Sequence, residues 1–585
     1  MAEHESSAPL LDDYDGIHDE NDSRTLSRTT TTSSLTSFDR RNIFGNDAQD
    51  NTEHPAPPEV YNWRPWVLAI SAAMGSAMFG YDTAFIGGLL TLPSFSSRFG
   101  LDQVSGNVLA GIEARIVSTF QLGCIFGSIF VYYLNEYHGR RKTLMQAGVL
   151  FDCGALFQLI SAGRLRYMYF GRFLAGLAVG SSSLVVPLYI SECSPPAIRG
   201  TLIGAFEIML QSFLVVGFWV NFGVNEHISP DTDKQWHIPV SLQLIPGTLL
   251  VLAMAFQPES PRWLVHAGKI SKAKQVLSYI RNLPIEHEYI IWETESIVEQ
   301  IEHEAECGAD ASLIDKIKSS FQPGKFNRLL IGCTMMIIQN LGGVNALNYY
   351  STNIFRAIGF TGVSVGLLAT GVYGILKCLF TFVFTFVVIE KYGRRKSLIY
   401  GSIGTCLTMF YIGLYGKFSG SFDGNANRDI FAYLAVLAVY MFAIIFTLSW
   451  SGVPWIYAAE IYPATVRSVC VCATTCSQWV GQFVIVYSTP FMMEYIKWGT
   501  FIFFGLFTVF SGFYVYWWIP ETKGLSIEDM DIMFECETTD GRRMRKEADL
   551  IIAQRRIELA LSATLNSSSA GVKDIDRTPV ATLEN

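Results

Sequence analysis

Roughly twelve stretches of about 20 mainly apolar residues follow one another between Trp66 and Ile519, each long enough for a helix to cross the ~30 Å hydrocarbon core of a bilayer. Lipid offers backbone N–H and C=O groups no hydrogen-bond partner, so such segments span as helices that satisfy themselves. Half of the 585 residues are hydrophobic and only 16% are charged. The sequence therefore predicts an all-α, multi-pass membrane protein and argues against a large soluble enzyme.

The formal net charge of −9 resides largely in the tails and the central loop, leaving no basic face for nucleic acid. Of the eleven cysteines, Cys124, Cys153, Cys333, Cys378, Cys406 and Cys476 fall in apolar stretches, and their scatter lacks the spacing of a metal site or disulfide framework. Neither a metal nor a cofactor is expected. No intramembrane His, paired catalytic acids or phosphate-cradling glycine loop points to an enzyme. Residues 1–62 are polar and Ser/Thr-rich and read as a disordered tail, so the first membrane helix serves as the targeting signal.

The expected helices run at about 66–90, 115–134, 143–162, 168–190, 201–224 and 238–256, then 326–350, 363–389, 397–416, 430–456, 468–490 and 498–519. Gly139, Arg199 and Pro258 recur at similar offsets as Gly393, Arg467 and Pro520. This internal duplication predicts two six-helix halves, 63–264 and 326–527, in parallel orientation with a site at their interface near the midplane. A charged, helix-prone connector spans 265–325, and a second tail spans 528–585. Basic residues such as Arg140, Arg141, Lys142, Arg394, Arg395 and Lys396 gather on one side, which places both tails in the cytoplasm. The sequons at Asn21 and Asn566 lie in those tails and should remain unglycosylated. Leu10 and Leu11, beside acidic residues, leave vacuolar or endosomal sorting open against a plasma-membrane default.

Within the first stretch, FGYDTAFIGG places Asp82 in an apolar run. An ionised carboxylate at that depth costs roughly 2.5 to 3.5 kcal/mol, so packing alone does not account for it. Asp82 is the first functional candidate.

The repeated GRR loops, YISECSPPAIRG, PESPRWL, QNLGGVNALNYYSTNIF, VPWIYAAEIYP and PETKGLS together resemble the sugar porter family of the major facilitator superfamily over about 63–527. Within it, GYDTAFIGGLLTLPSF, RIVSTFQ, FEIMLQ, GFWVNFGV and YGILK look most like fungal quinate permeases and their sugar-transporting relatives. The resemblance implies secondary transport by alternating access, with a small polyol or sugar, protons and membrane lipid as partners. It also supplies Arg172 as the partner of Asp82, the two forming the proton-coupling pair; the other reading is a static pair in a passive facilitator. It implies an inner gate of Glu136, Arg140, Glu192 and Arg199 with Glu390, Arg394, Glu460 and Arg467, paired across the two halves. Plain positive-inside anchoring is the alternative for those charges.

For substrate, Gln339 or Asn340 is expected within reach of the helix face carrying Asn345, because amides both donate and accept as polyol hydroxyls do. Trp455 is expected to stack on a ring face, and Gln478 to join from helix 11. Two positions depart from the family pattern: Glu207 stands where a glutamine is common, with Gln211 one turn on, and Lys377 lies mid-helix beside Cys378. Either Lys377 attracts a substrate carboxylate or Lys377 and Glu207 neutralise one another or other polar groups. A nutrient receptor on the same fold is the reading from another class.

Overall fold

The computed structural model describes residues 57–306, 313–360, 362–423, 429–463, 465–523, 525, 530, 532–534 and 540–554. The remaining residues, including the sequons, the dileucine and most of both tails, lie outside it.

The described residues are overwhelmingly helical. The first half comprises α1 (Arg64–Leu89), α2 (Gly106–His138), α3 (Arg140–Leu159), α4 (Leu165–Cys193), α5 (Arg199–His227) and α6 (Lys234–Ala255). The second comprises α7 (Lys325–Ile358), α8 (Val363–Val388), α9 (Arg394–Ser419), α10 (Ile430–Glu460), α11 (Arg467–Tyr495) and α12 (Gly499–Trp518). Helices Ile270–Arg281 and Glu288–Glu304 lie between the halves. They dock on the first: Arg281 pairs with Glu293 at 2.6 Å and donates to the Cys193 carbonyl at 2.9 Å.

Ten of the twelve helices are long and apolar enough to cross a membrane; α1 and α3 are not among them. Their apolar signal is diluted for different reasons. Helix α1 spends its length on Gly, Ser, Tyr81 and Asp82, most of them buried against other helices. Helix α3 opens on Arg-Arg-Lys and carries Asp152 and Gln158. Asp152, an intramembrane carboxylate the sequence reading passed over, accepts a 2.9 Å hydrogen bond from Thr248 of α6.

Small residues set the closest approaches. Gly123 and Gly127 of α2 lie directly on the backbone of α4, where Gly176 and Gly180 return the contact. Such seams let helices without a hydrophobic driving force between them pack by close contact. Where α1 meets α7, Gly87 rests on the Tyr349 carbonyl, so a side chain there would separate the halves.

Several helices expected to be continuous are interrupted, α6 between Ser241 and Leu244 and α8 by a π-turn at Phe384–Val388 among them. Helix α7 breaks at Gly342 and Gly343, the latter with φ +88°, and carries a non-helical residue at Tyr350. Helix α10 contains a π-turn at Thr447–Ser451. Backbone groups freed by such breaks are available only where other polar groups can meet them.

Candidate functional site

The centre of the first half is an ion pair. Arg172 Nη1 of α4 lies 2.7 Å from both carboxylate oxygens of Asp82, and neither side chain reaches solvent. Arg172 Nε donates to the Ile116 carbonyl at 3.2 Å, and its guanidinium carbon sits 4.8 Å from the Phe120 ring centroid and 5.8 Å from that of Phe85. Arg172 Nη2 is buried without a hydrogen-bond partner. With two charges in this dry setting, removing either strands the other.

In the second half, the break in α7 assembles an amide cluster. Asn345 donates to Asn340 Oδ1 at 2.5 Å, and Asn340 donates to Gln478 Oε1 at 2.7 Å. Of the two residues expected to reach Asn345, Asn340 does so. Gln339 instead turns to the π-turn of α10, donating to the carbonyls of Trp450 at 2.6 Å and Ser451 at 3.0 Å. Trp455 is half-buried beyond that turn, and no hydrogen bond or ring contact among the described residues joins it to the amides.

The departures from the family pattern lie in the same region, Lys377 buried and Glu207 half-buried. Gln211 donates to Glu207 Oε1 at 2.9 Å, and Ser451 donates to the same oxygen at 2.7 Å, bridging the two halves. Lys377 is 3% exposed and donates to Asn348 Oδ1 at 3.2 Å, an oxygen shared with the Tyr373 hydroxyl at 3.0 Å. Asn348 lies one turn from Asn345, so Lys377 adjoins the amide-bearing helix.

Sequence reasoning missed Asn348, Tyr349, Ser451 and Gln121. The Tyr349 phenol lies 3.3 Å from Thr83 Oγ1 of α1 and 2.9 Å from the Gln121 side chain of α2, and accepts from Gln482 of α11 at 3.1 Å. In sequence it is one of two adjacent tyrosines, indistinguishable from packing. The one available signal was its position two turns beyond the Gly-Gly break.

The gate charges are arranged differently from the expectation. The described pairs close within each half: Arg140 with Glu192 at 3.0 Å and Arg394 with Glu460 at 2.7 Å. Glu136 approaches Arg140 along the same helix at 3.9 Å. Arg199 is exposed, among the charges of Arg281, Arg262, Glu293 and Arg467, and Arg467 donates to the Tyr462 carbonyl at 3.2 Å. The Glu390 side chain lies outside the described residues. The reason for the in-half pairing is a second, unforeseen pair of acids, Glu259 and Glu521, from PESPRWL and PETKGLS. Glu259 accepts from the backbone N–H groups of Arg140 and Arg141 at 2.9 and 3.0 Å; Glu521 does the same for Arg394 and Arg395 at 2.9 and 3.0 Å. Each carboxylate thereby caps a helix start. The next residue in each motif, Ser260 or Thr522, donates to Glu192 or Glu460 respectively.

Two helical halves meeting at buried polar side chains have the architecture of the major facilitator fold, and the chain is a membrane transporter of that class. The chain belongs to the sugar (and other) transporter family, whose model matches residues 68–534. It is 36% identical over 524 residues to the quinate permease of Emericella nidulans, covering 89% of this chain and 97% of that protein. It is 38% identical over 491 residues to the quinate permease of Neurospora terricola, with 83% and 91% covered. Among solved structures, it shares the fold of the proton:xylose symporter XylE bound to 6-bromo-6-deoxy-D-glucose, with TM-score 0.67, 23% identity, and 80% of this chain and 99% of that one covered. The inward-open form of the E. coli xylose transporter matches at TM-score 0.64 and 24% identity, with 80% and 100% covered.

Proposed function

We propose that this chain is a proton-coupled symporter of a small cyclic polyol, a monosaccharide, quinate or a uronic acid, working by alternating access at the plasma membrane with both termini in the cytoplasm. The observation that carries the reading is the Asp82–Arg172 pair, sealed in the first half. A neighbouring guanidinium favours the charged carboxylate and the dry surroundings disfavour it, so small helix movements change which form wins. Asp82 takes the coupling proton and Arg172 is released from it. Asn340, Asn345 and Gln478 meet substrate hydroxyls, with Gln339, Gln211 and Trp455 around them. The names of the curated relatives support an acid polyol, and the buried Lys377 offers it a cation. The Arg140–Glu192 and Arg394–Glu460 pairs brace the helix ends that move as the inner gate.

The test is uptake of labelled quinate by cells expressing the chain, at acidic and neutral outside pH, with excess glucose or galacturonate as competitor. Acid-stimulated uptake that disappears in Asp82→Asn is expected. Uptake indifferent to pH in both forms, with surface expression verified, overturns proton coupling. Robust glucose uptake with none of quinate overturns the acid substrate.

A further inference from the structure

Lys377 stands mid-helix on α8, a span long and apolar enough to cross a membrane, with a neutral amide oxygen, Asn348 Oδ1, as its hydrogen-bond acceptor. A neutral acceptor leaves an ammonium in a low-dielectric interior uncompensated, so the site attracts a counter-charge. The helix that carries Glu207 packs beside Lys377: its Ser212 hydroxyl lies 3.7 Å from the sulfur of Cys378, the next residue after Lys377, and the Glu207 charge acts on the ammonium from there. Glu207 belongs to the opposite half, makes no direct ion pair with Lys377, and accepts from Gln211 and Ser451 through its Oε1. Lys377 thus carries a remote counter-ion, contributed from across the interface that must open for transport.

We infer that Glu207 is an internal counter-ion, and that an incoming substrate carboxylate takes its place at Lys377. This rests on the substrate reading above and adds how the site distinguishes an anionic polyol from a neutral one. A carboxylate beside the ammonium outcompetes a carboxylate held away by hydrogen bonds, since Coulomb energy falls with distance. A neutral polyol has nothing to exchange, so Glu207 and Lys377 continue to attract each other between the halves. The anion breaks that attraction, while Glu207 keeps its hydrogen bonds to Gln211 and Ser451. Glu207 therefore sets the threshold an anionic substrate must exceed.

The experiment is calorimetric titration of the purified full-length chain with quinate and with its uncharged amide. Removing the competing charge in Glu207→Gln is expected to tighten quinate binding by about tenfold, with the amide changed by less than about threefold. Lys377→Gln is expected to weaken quinate by about tenfold or more and to abolish the benefit of Glu207→Gln in the double variant. Glu207→Ala repeats the charge removal with a different side chain, so a folding defect in one variant does not silence the test. Quinate bound equally well, or more weakly, by both Glu207 variants overturns the counter-ion role alone. Amide bound by the wild type while quinate binds neither it nor the variants overturns the acid-substrate reading together with this inference.

Discussion

The Tyr349 hydroxyl lies 3.3 Å from the hydroxyl of Thr83, the residue next to Asp82 on α1. The broken helix of one half therefore touches the chain beside the buried carboxylate of the other. Gln121 and Gln482 meet the same phenol, making it a junction of four helices.

Tyr349→Phe keeps the ring and deletes the junction. A net hydrogen bond is worth about 0.5–1.5 kcal/mol, and an orphaned buried partner costs about 1–3 kcal/mol. The full-length protein is expected to lose about 1–3 kcal/mol of stability. Uptake should slow several-fold while pH dependence remains. Thermal melting and initial-rate uptake check both; unchanged melting would sink the junction.

The Asp82–Arg172 pair should behave as a unit. Arg172→Gln or Asp82→Asn each removes one partner of a buried pair, a change that costs about 3–5 kcal/mol when the surviving charge stays uncompensated. The double variant strands neither charge and is expected to be more stable than Arg172→Gln alone. A double-mutant cycle by melting of the detergent-solubilised protein measures the coupling; strictly additive effects would contradict it.

Glu259 and Glu521 make the same bonds in the two halves, so Glu259→Gln and Glu521→Gln should destabilise by similar amounts, about 1–3 kcal/mol each. Lying in separate halves with no shared partners described, they should add in the double variant within about 0.5 kcal/mol. Melting of the three variants tests this, and a large difference between the singles would break the symmetry.

One proton carried with one monocarboxylate moves no net charge, whereas a proton with a neutral sugar moves one, worth roughly 2.3 kcal/mol per 100 mV. Quinate uptake is therefore expected to be insensitive to membrane potential at fixed pH. Potassium-clamped proteoliposomes measure it, and strong voltage dependence would exclude one-to-one symport of the anion.

The fold was legible because apolar runs of spanning length are dictated by the solvent, and because Gly139, Arg199 and Pro258 reappear in the second half. Asp82 was legible for the same reason, as an expensive exception in an apolar run. Tyr349 and Asn348 were not, since their roles arise from a break in α7 that turns one helix face toward three others. The pairing of Arg140 with Glu192 rather than across the interface was not legible either. Spacing along the chain carries no information on which half supplies a partner. Glu259 and Glu521 stood in quoted motifs, yet their task depends on the backbone of helix starts more than a hundred residues away.

The clamps at Glu259 and Glu521 each fasten a half to itself, and the helices from Ile270 to Glu304 are tied to the first half through Arg281. The covalent link between the halves is then dispensable to either bundle. Cut between Glu306 and Leu313 and produced as two polypeptides in one cell, the pieces should find each other in the bilayer and restore uptake, as two matched subunits would.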